Sequence, residues 1–132
     1  MGTVKLISDE EANEEVLAVF DDIRATRGTK YINNFWRALA NDPSLLCATW
    51  ERIKLVMGPG ELDPLVKELI YVAVSVANGC EYCAHSHTAA ARAKGMTAKM
   101  HGELMAIIAM ASQTNALVNA LQVETDTAFK KN

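Results

Sequence analysis

Two aspartate–proline pairs constrain the fold of this chain more than any other feature of its sequence. They are Asp42-Pro43 and Asp63-Pro64, and each stands directly before an apolar segment. An aspartate side chain caps the free N–H groups of a helix start, and proline suits the first helical position because its missing N–H has no partner there. The two pairs therefore predict helices over residues 43–57 and 65–77.

Other start and stop signals predict helices along the rest of the chain. Ser8 and Glu11 form a capping-box pattern ahead of apolar residues at helical spacing, and Gly28 ends that segment. Asn78-Gly79 ends one helix, and Thr97 caps another. The further predicted helical segments are 31–40, 80–94, 98 to about 112, and a looser tail over 115–130.

One segment, residues 69–77 (LIYVAVSVA), also has a composition that suits a β-strand. No partner strand is apparent elsewhere, so the helical interpretation is preferred. A chain of 132 residues can remove roughly two-thirds of its unfolded surface from water, which is enough for a core of its own. We therefore predict an all-α bundle of six or seven helices in a single domain over residues 1–132.

The charge pattern restricts the partners of this chain. Thirteen Lys and Arg residues stand against 16 Asp and Glu residues, and the basic residues are scattered. This distribution offers no basic surface for nucleic acid or for anionic lipid. Residues 1–15 lack the apolar stretch of a signal peptide, and no apolar run approaches the roughly 20 residues of a membrane helix. We expect a cytoplasmic protein with a small-molecule or protein partner.

The segment CEYCAHSH, residues 80–87, carries the chemistry. Residues three apart on a helix have Cα atoms about 5 Å apart, so Cys80 and Cys83 can alternate between dithiol and disulfide. Both would lie near a helix start, where free N–H groups favour a thiolate. His87 follows Cys83 by four residues, which makes it the natural base for that thiol, whereas His85 falls on the opposite face.

A carboxylate on the preceding helix joins this group. Glu68 lies among apolar residues of the segment 65–77, and the connection to the cysteine segment is short. The two helices are therefore expected to be neighbours, with Glu68 in a position to orient or charge the imidazole of His87.

Closely spaced cysteines also occur in other kinds of site. Half of a structural zinc site would need a second pair of ligands, and haem attachment is excluded because residue 84 is Ala. A thioredoxin-type motif would follow a strand, which this sequence lacks. Two buried structural cysteines beside a core histidine remain an alternative. Cys47 lies among apolar residues and is expected to be a core or interface thiol.

The spacing Glu68-x11-Cys80-x2-Cys83-x3-His87 resembles that of the AhpD-like alkylhydroperoxidases, within the carboxymuconolactone decarboxylase superfamily. The resemblance covers about residues 35–112. It implies an AhpD-like helical fold that assembles as a homotrimer or homohexamer. Founding members carry a histidine just before the second cysteine, where this chain has Tyr82.

The same resemblance implies a peroxidase that needs no metal or haem. In that scheme Cys83 is the peroxide-attacking thiolate, Cys80 is the resolving cysteine, and His87 and Glu68 form the proton relay. The partners would be a hydroperoxide substrate and an external dithiol reductant. Two alternatives stand beside it: a carboxymuconolactone-type decarboxylase, and a redox-sensing protein without enzymatic turnover.

Overall fold

A computed structural model describes residues 2–130, and within them every regular element is a helix. This confirms the all-α prediction. The elements are the six α-helices α1 (Glu14–Arg27), α2 (Asn34–Leu39), α3 (Pro43–Met57), α4 (Pro64–Ala77), α5 (Glu81–Ala93) and α6 (Ala98–Leu121), and a short 3₁₀ turn over Thr127–Lys130.

The chain divides into two compact units, one up to Gly58 and one from Pro59 onward. In the first unit, α1, α2 and α3 enclose a core in which Trp36 meets Trp50 edge to face, with ring centroids 5.5 Å apart. The second unit holds α4, α5 and α6, and α4 packs on both of the others. The prediction of one domain over 1–132 stays a prediction.

The predicted starts of α3 and α4 are confirmed. The Asp42 side chain accepts a hydrogen bond from the N–H of Leu45 at 3.1 Å, and Asp63 accepts one from Leu65 at 2.9 Å. Residues 69–77 are helical, so the strand alternative is wrong for this segment.

The predicted start of α1 is wrong. The N–H of Ser8 does bond the Glu11 carboxylate, at 3.2 Å, but the two residues close an isolated turn. Asp9 in that turn accepts hydrogen bonds from two arginines, at 2.6 and 2.9 Å, which hold it outside the helix. Asn13 then has extended backbone, caps the N–H of Val16 at 2.9 Å, and starts the helix at Glu14.

The end of the chain also differs from the prediction. Instead of a helix to about residue 112 and a looser tail, α6 continues without a break for 24 residues. Residues 113 and 114 are Gln and Thr, which do not stop a helix, and the backbone turns only at Gln122, with φ of 50°.

The unbroken α6 presents a long apolar surface. In the described chain, α6 is the one helix whose length and composition would suffice to cross a membrane, with a mean hydropathy of 1.4 over an 18-residue stretch. The prediction that no apolar segment approaches that length is wrong for α6, because the predicted break near residue 112 does not occur. None of the residues of α6 is buried, and Ile107, Met110, Leu117 and Leu121 are all more than half exposed.

Candidate functional site

The turn between α4 and α5 sets the position of the first cysteine. Gly79 adopts φ of 70°, a left-handed conformation that costs glycine little. The N–H of Cys80 then donates to the carbonyl of Ser75 at 2.8 Å, which ties the turn to the last part of α4. Cys80 becomes the N-cap of α5, so the helix itself begins at Glu81.

The sulfur of Cys80 is part of the helix cap. Its Sγ accepts a hydrogen bond from the backbone N–H of Cys83 at 3.3 Å. Both cysteines are partly buried and unlinked. The sequence therefore placed the two thiols correctly at one helix start, and the cap contact keeps Cys80 beside Cys83.

The two thiols differ in their electrostatics. A hydrogen bond to the Cys80 side chain, burial, and the charge of Cys80 together raise the pKa of Cys83 to about 11. The expectation that the helix start would favour a thiolate at both positions is wrong for Cys83. The reason is local, because two of the three causes come from the neighbouring Cys80 side chain.

This arrangement makes a titration prediction. In a Cys47→Ser background, we expect Cys80→Ser to lower the pKa of Cys83 from about 11 part of the way toward 9.0, since the main cause of the rise is removed. Serine retains the helix cap. Ultraviolet absorbance of the thiolate against pH measures the effect, with the variant that has serine at all three cysteine positions as the blank. A midpoint that stays near 11 would assign the rise to burial alone.

Glu68 and His87 meet as the sequence predicted. The Nδ1 atom of His87 lies 2.7 Å from Oε2 of Glu68, and their side chains are only 16% and 7% exposed. Glu68, Val72 and Ser75 form the buried face of α4, which packs on α5. With an ionised carboxylate, Nδ1 is the donor, and Nε2 of the neutral ring is left as an acceptor.

A lysine holds the other oxygen of the same carboxylate. Lys94, the C-cap residue of α5, places its Nζ 3.1 Å from Oε1 of Glu68. Burial works to raise the pKa of Glu68, but the hydrogen bonds from His87 and Lys94 outweigh it and hold that pKa below its usual value. The carboxylate is therefore charged at neutral pH.

Tyr71 completes the group. Its ring stacks on the imidazole of His87, with centroids 3.6 Å apart and planes 19° apart. Burial and the negative charges of Cys83, Cys80 and Glu68 raise the pKa of Tyr71, so its hydroxyl keeps its proton. The Tyr71 phenol is therefore close enough to both thiols for their charges to affect its pKa.

Sequence reasoning missed Tyr71 and Lys94, although each carries a helical signal. Tyr71 follows Glu68 by three residues on α4, and Lys94 follows His87 by seven on α5. These spacings put each residue on the same helix face as its partner. What the sequence did not supply was the register in which the two faces meet.

The remaining candidates lie apart from this group. The His85 side chain is 81% exposed, and its Nε2 lies 3.9 Å from Oε1 of Glu81. His85 therefore faces away from the thiols and His87, as the sequence predicted. Cys47 packs against the core of the first unit. Over residues 2–130, no group of three or more His, Cys, Asp or Glu side chains could hold a metal ion.

Comparison with known proteins places this geometry in a family. The model of the carboxymuconolactone decarboxylase family matches residues 44–126. The alkyl hydroperoxide reductase AhpD of Solibacter usitatus is 30% identical over 114 residues, which are 86% of this chain. The chain spans 63% of that relative's own length.

A solved structure gives the same result. The crystal structure of the alkylhydroperoxidase AhpD core from Rhodospirillum rubrum is 62% identical to this chain and superposes on it with a TM-score of 0.97. The match covers 100% of this chain and 99% of the chain in that crystal structure. The fold, the match to the family model and the sequence relatives agree. The chain is an AhpD-like protein that belongs to the carboxymuconolactone decarboxylase family.

Proposed function

We propose that this protein is a thiol-dependent peroxidase, which reduces hydroperoxides through a dithiol and disulfide cycle of Cys80 and Cys83. One observation carries the proposal: a buried Glu68 and His87 pair, 2.7 Å apart, joins α4 to α5, the helix that begins at the two thiols. A carboxylate-held imidazole near a protonated thiol is the arrangement that proton removal from sulfur requires. The names of the two AhpD relatives support the same activity.

In the first step, Nε2 of His87 takes the proton of the Cys83 thiol. The thiolate attacks one oxygen of the hydroperoxide, an S–O bond forms and the O–O bond breaks. The leaving alkoxide receives the proton from His87, so an alcohol departs and Cys83 becomes a sulfenic acid. The raised pKa of Cys83 explains why a base is needed for this sulfur.

In the second step, the sulfur of Cys80 attacks the sulfenic acid. An S–S bond forms, the S–O bond breaks, and the hydroxyl leaves as water with a proton from the thiol. An external dithiol then reduces the disulfide and returns both thiols. The cap contact between Cys80 Sγ and the N–H of Cys83, at 3.3 Å, supports this step because it keeps the second sulfur close. The scheme requires no metal or haem, and a cytoplasmic location would supply the reducing conditions.

The decisive assay follows the consumption of tert-butyl or cumene hydroperoxide with several dithiol donors, before and after alkylation of the cysteines. We expect turnover that requires a dithiol and is lost on alkylation. Absence of turnover with every donor would contradict the proposal.

The family match favours one alternative, a decarboxylase that acts on a lactone acid. That chemistry needs a base beside a carboxylate and would be indifferent to alkylation of the cysteines. A redox sensor, in contrast, would cycle its thiols without turning over peroxide. The same assay therefore separates the peroxidase from both alternatives.

We also propose assembly as a homotrimer or homohexamer. The apolar side chains of α6 are exposed in a single copy, and a surface of this kind is usually covered by another molecule. Light scattering at micromolar concentration, without detergent, measures the mass. A monomer would contradict the assembly, and a requirement for detergent would indicate that lipid covers the helix instead.

A further inference from the structure

Lys94 binds the same Glu68 carboxylate that contacts His87. Each oxygen of Glu68 has one partner: His87 Nδ1 at 2.7 Å on Oε2, and Lys94 Nζ at 3.1 Å on Oε1. The Glu68 side chain is 7% exposed, whereas that of Lys94 is 41% exposed. Lys94 therefore connects a buried carboxylate to the surface of α5.

The partner of Oε1 of Glu68 affects the protonation of that carboxyl group, and this in turn decides which nitrogen of His87 carries the proton. An ionised Glu68 accepts the proton of Nδ1, which leaves Nε2 of the neutral ring able to accept a proton from a thiol. A protonated Glu68 can donate to Nδ1 instead, and the ring then carries its proton on Nε2 and cannot act as that base. Burial favours the protonated carboxyl, and the hydrogen bonds from His87 and Lys94 together oppose it, with Lys94 supplying the permanent cation.

We propose that Lys94 is a positioning residue that keeps Glu68 ionised and thereby holds His87 in the tautomer with Nδ1 protonated. Its role in catalysis rests on the proposed peroxidase, while its effect on Glu68 and His87 does not. The lowered pKa of Glu68, to which the Lys94 hydrogen bond contributes, agrees with this assignment.

The position of Lys94 in the helix suits this role. As the C-cap residue of α5, it lies where the negative end of the helix dipole attracts a cation. Its backbone N–H bonds the carbonyls of Ala90 and Ala91, both at 3.1 Å, so the stem of the side chain starts from a fixed point. Two helical turns separate it from His87, which places both on the face toward α4.

The other titratable groups near Glu68 do not take the place of the lysine. Tyr71 on α4 and the two thiols of the α5 segment carry no positive charge in either protonation state. The helix α6 also packs on α4, with Lys99, His101 and Glu103 as its titratable residues. In residues 2–130 no ion pair joins any of these three to Glu68.

The test compares Lys94→Gln, Lys94→Arg and Arg92→Gln in the full chain. Arg92 is an exposed cation on the same helix, so its substitution removes the same charge without touching Glu68. Carbon NMR of the Glu68 carboxyl and nitrogen NMR of the His87 ring follow the two groups against pH. We expect Lys94→Gln to raise the titration midpoint of Glu68 and, where the carboxyl is protonated, to shift the imidazole toward the Nε2-protonated tautomer.

Lys94→Arg is expected to restore both signals, and Arg92→Gln to leave them as in the wild type. Equal midpoints and equal tautomer populations in Lys94→Gln and Arg92→Gln would overturn the inference. In the peroxide assay, the acid limb of the pH profile is expected to move upward with the Glu68 midpoint. If the NMR signals move as expected but the wild type consumes no peroxide, Lys94 keeps its positioning role and the peroxidase proposal fails.

Discussion

Cys83→Ser is expected to abolish the consumption of hydroperoxide. A serine hydroxyl does not ionise near neutral pH and forms no sulfenic acid, so neither step of the cycle can begin. The measurement is the initial rate of loss of cumene hydroperoxide in the presence of the dithiol donor that supports the wild type. Cys47→Ser is the matched control, because Cys47 lies in the other unit of the chain, and it is expected to retain the wild-type rate.

Cys80→Ser separates the roles of the two sulfurs. With Cys83 intact and no resolving thiol, stoichiometric peroxide is expected to leave a sulfenic acid on Cys83 that a dimedone-type probe labels. The assignment would be reversed if Cys83→Ser kept its turnover while Cys80→Ser lost it. The reversed assignment has a physical basis, because the raised pKa of Cys83, about 11, keeps this thiol protonated at neutral pH.

The features that sequence alone predicted are those set by local rules. An aspartate two or three residues before a free N–H caps it whatever the surroundings, and both Asp42 and Asp63 do so. The short turn through Gly79 likewise makes α4 and α5 neighbours, which brings Glu68 to His87. The all-α fold follows from the same signals.

The features that sequence missed depend on how elements meet or on competing contacts. The contact of Lys94 with Glu68 requires the register between α4 and α5, which no pattern within one helix contains. The turn at Ser8 followed from the arginines that hold Asp9, residues distant in sequence. The raised pKa of Cys83 arises from its hydrogen bond to the Cys80 side chain, from burial and from the charge of Cys80, which the rule for helix starts does not contain.

Glu68→Gln and His87→Ala are each expected to slow the oxidation of Cys83 by a factor of about 10² to 10⁴, the usual contribution of one general acid–base group. Glutamine keeps the shape of the side chain but cannot hold the charge that fixes the imidazole, and alanine removes the base itself. The rate of Cys83 oxidation at fixed peroxide, measured in a single turnover, isolates this step from reduction by the dithiol.

The double variant distinguishes a relay from two separate contributions. Because Glu68 acts on the thiol only through His87, which it contacts at 2.7 Å, the double variant is expected to be little slower than His87→Ala alone. Losses that multiply would mean that the two residues act independently and would break the relay. A near wild-type rate in Glu68→Gln, with the helix content and melting temperature unchanged, would reduce Glu68 to a buried partner of Lys94. The relay therefore predicts equal rates of Cys83 oxidation in His87→Ala and in the double variant, because Glu68 has no effect on the thiol once His87 is absent.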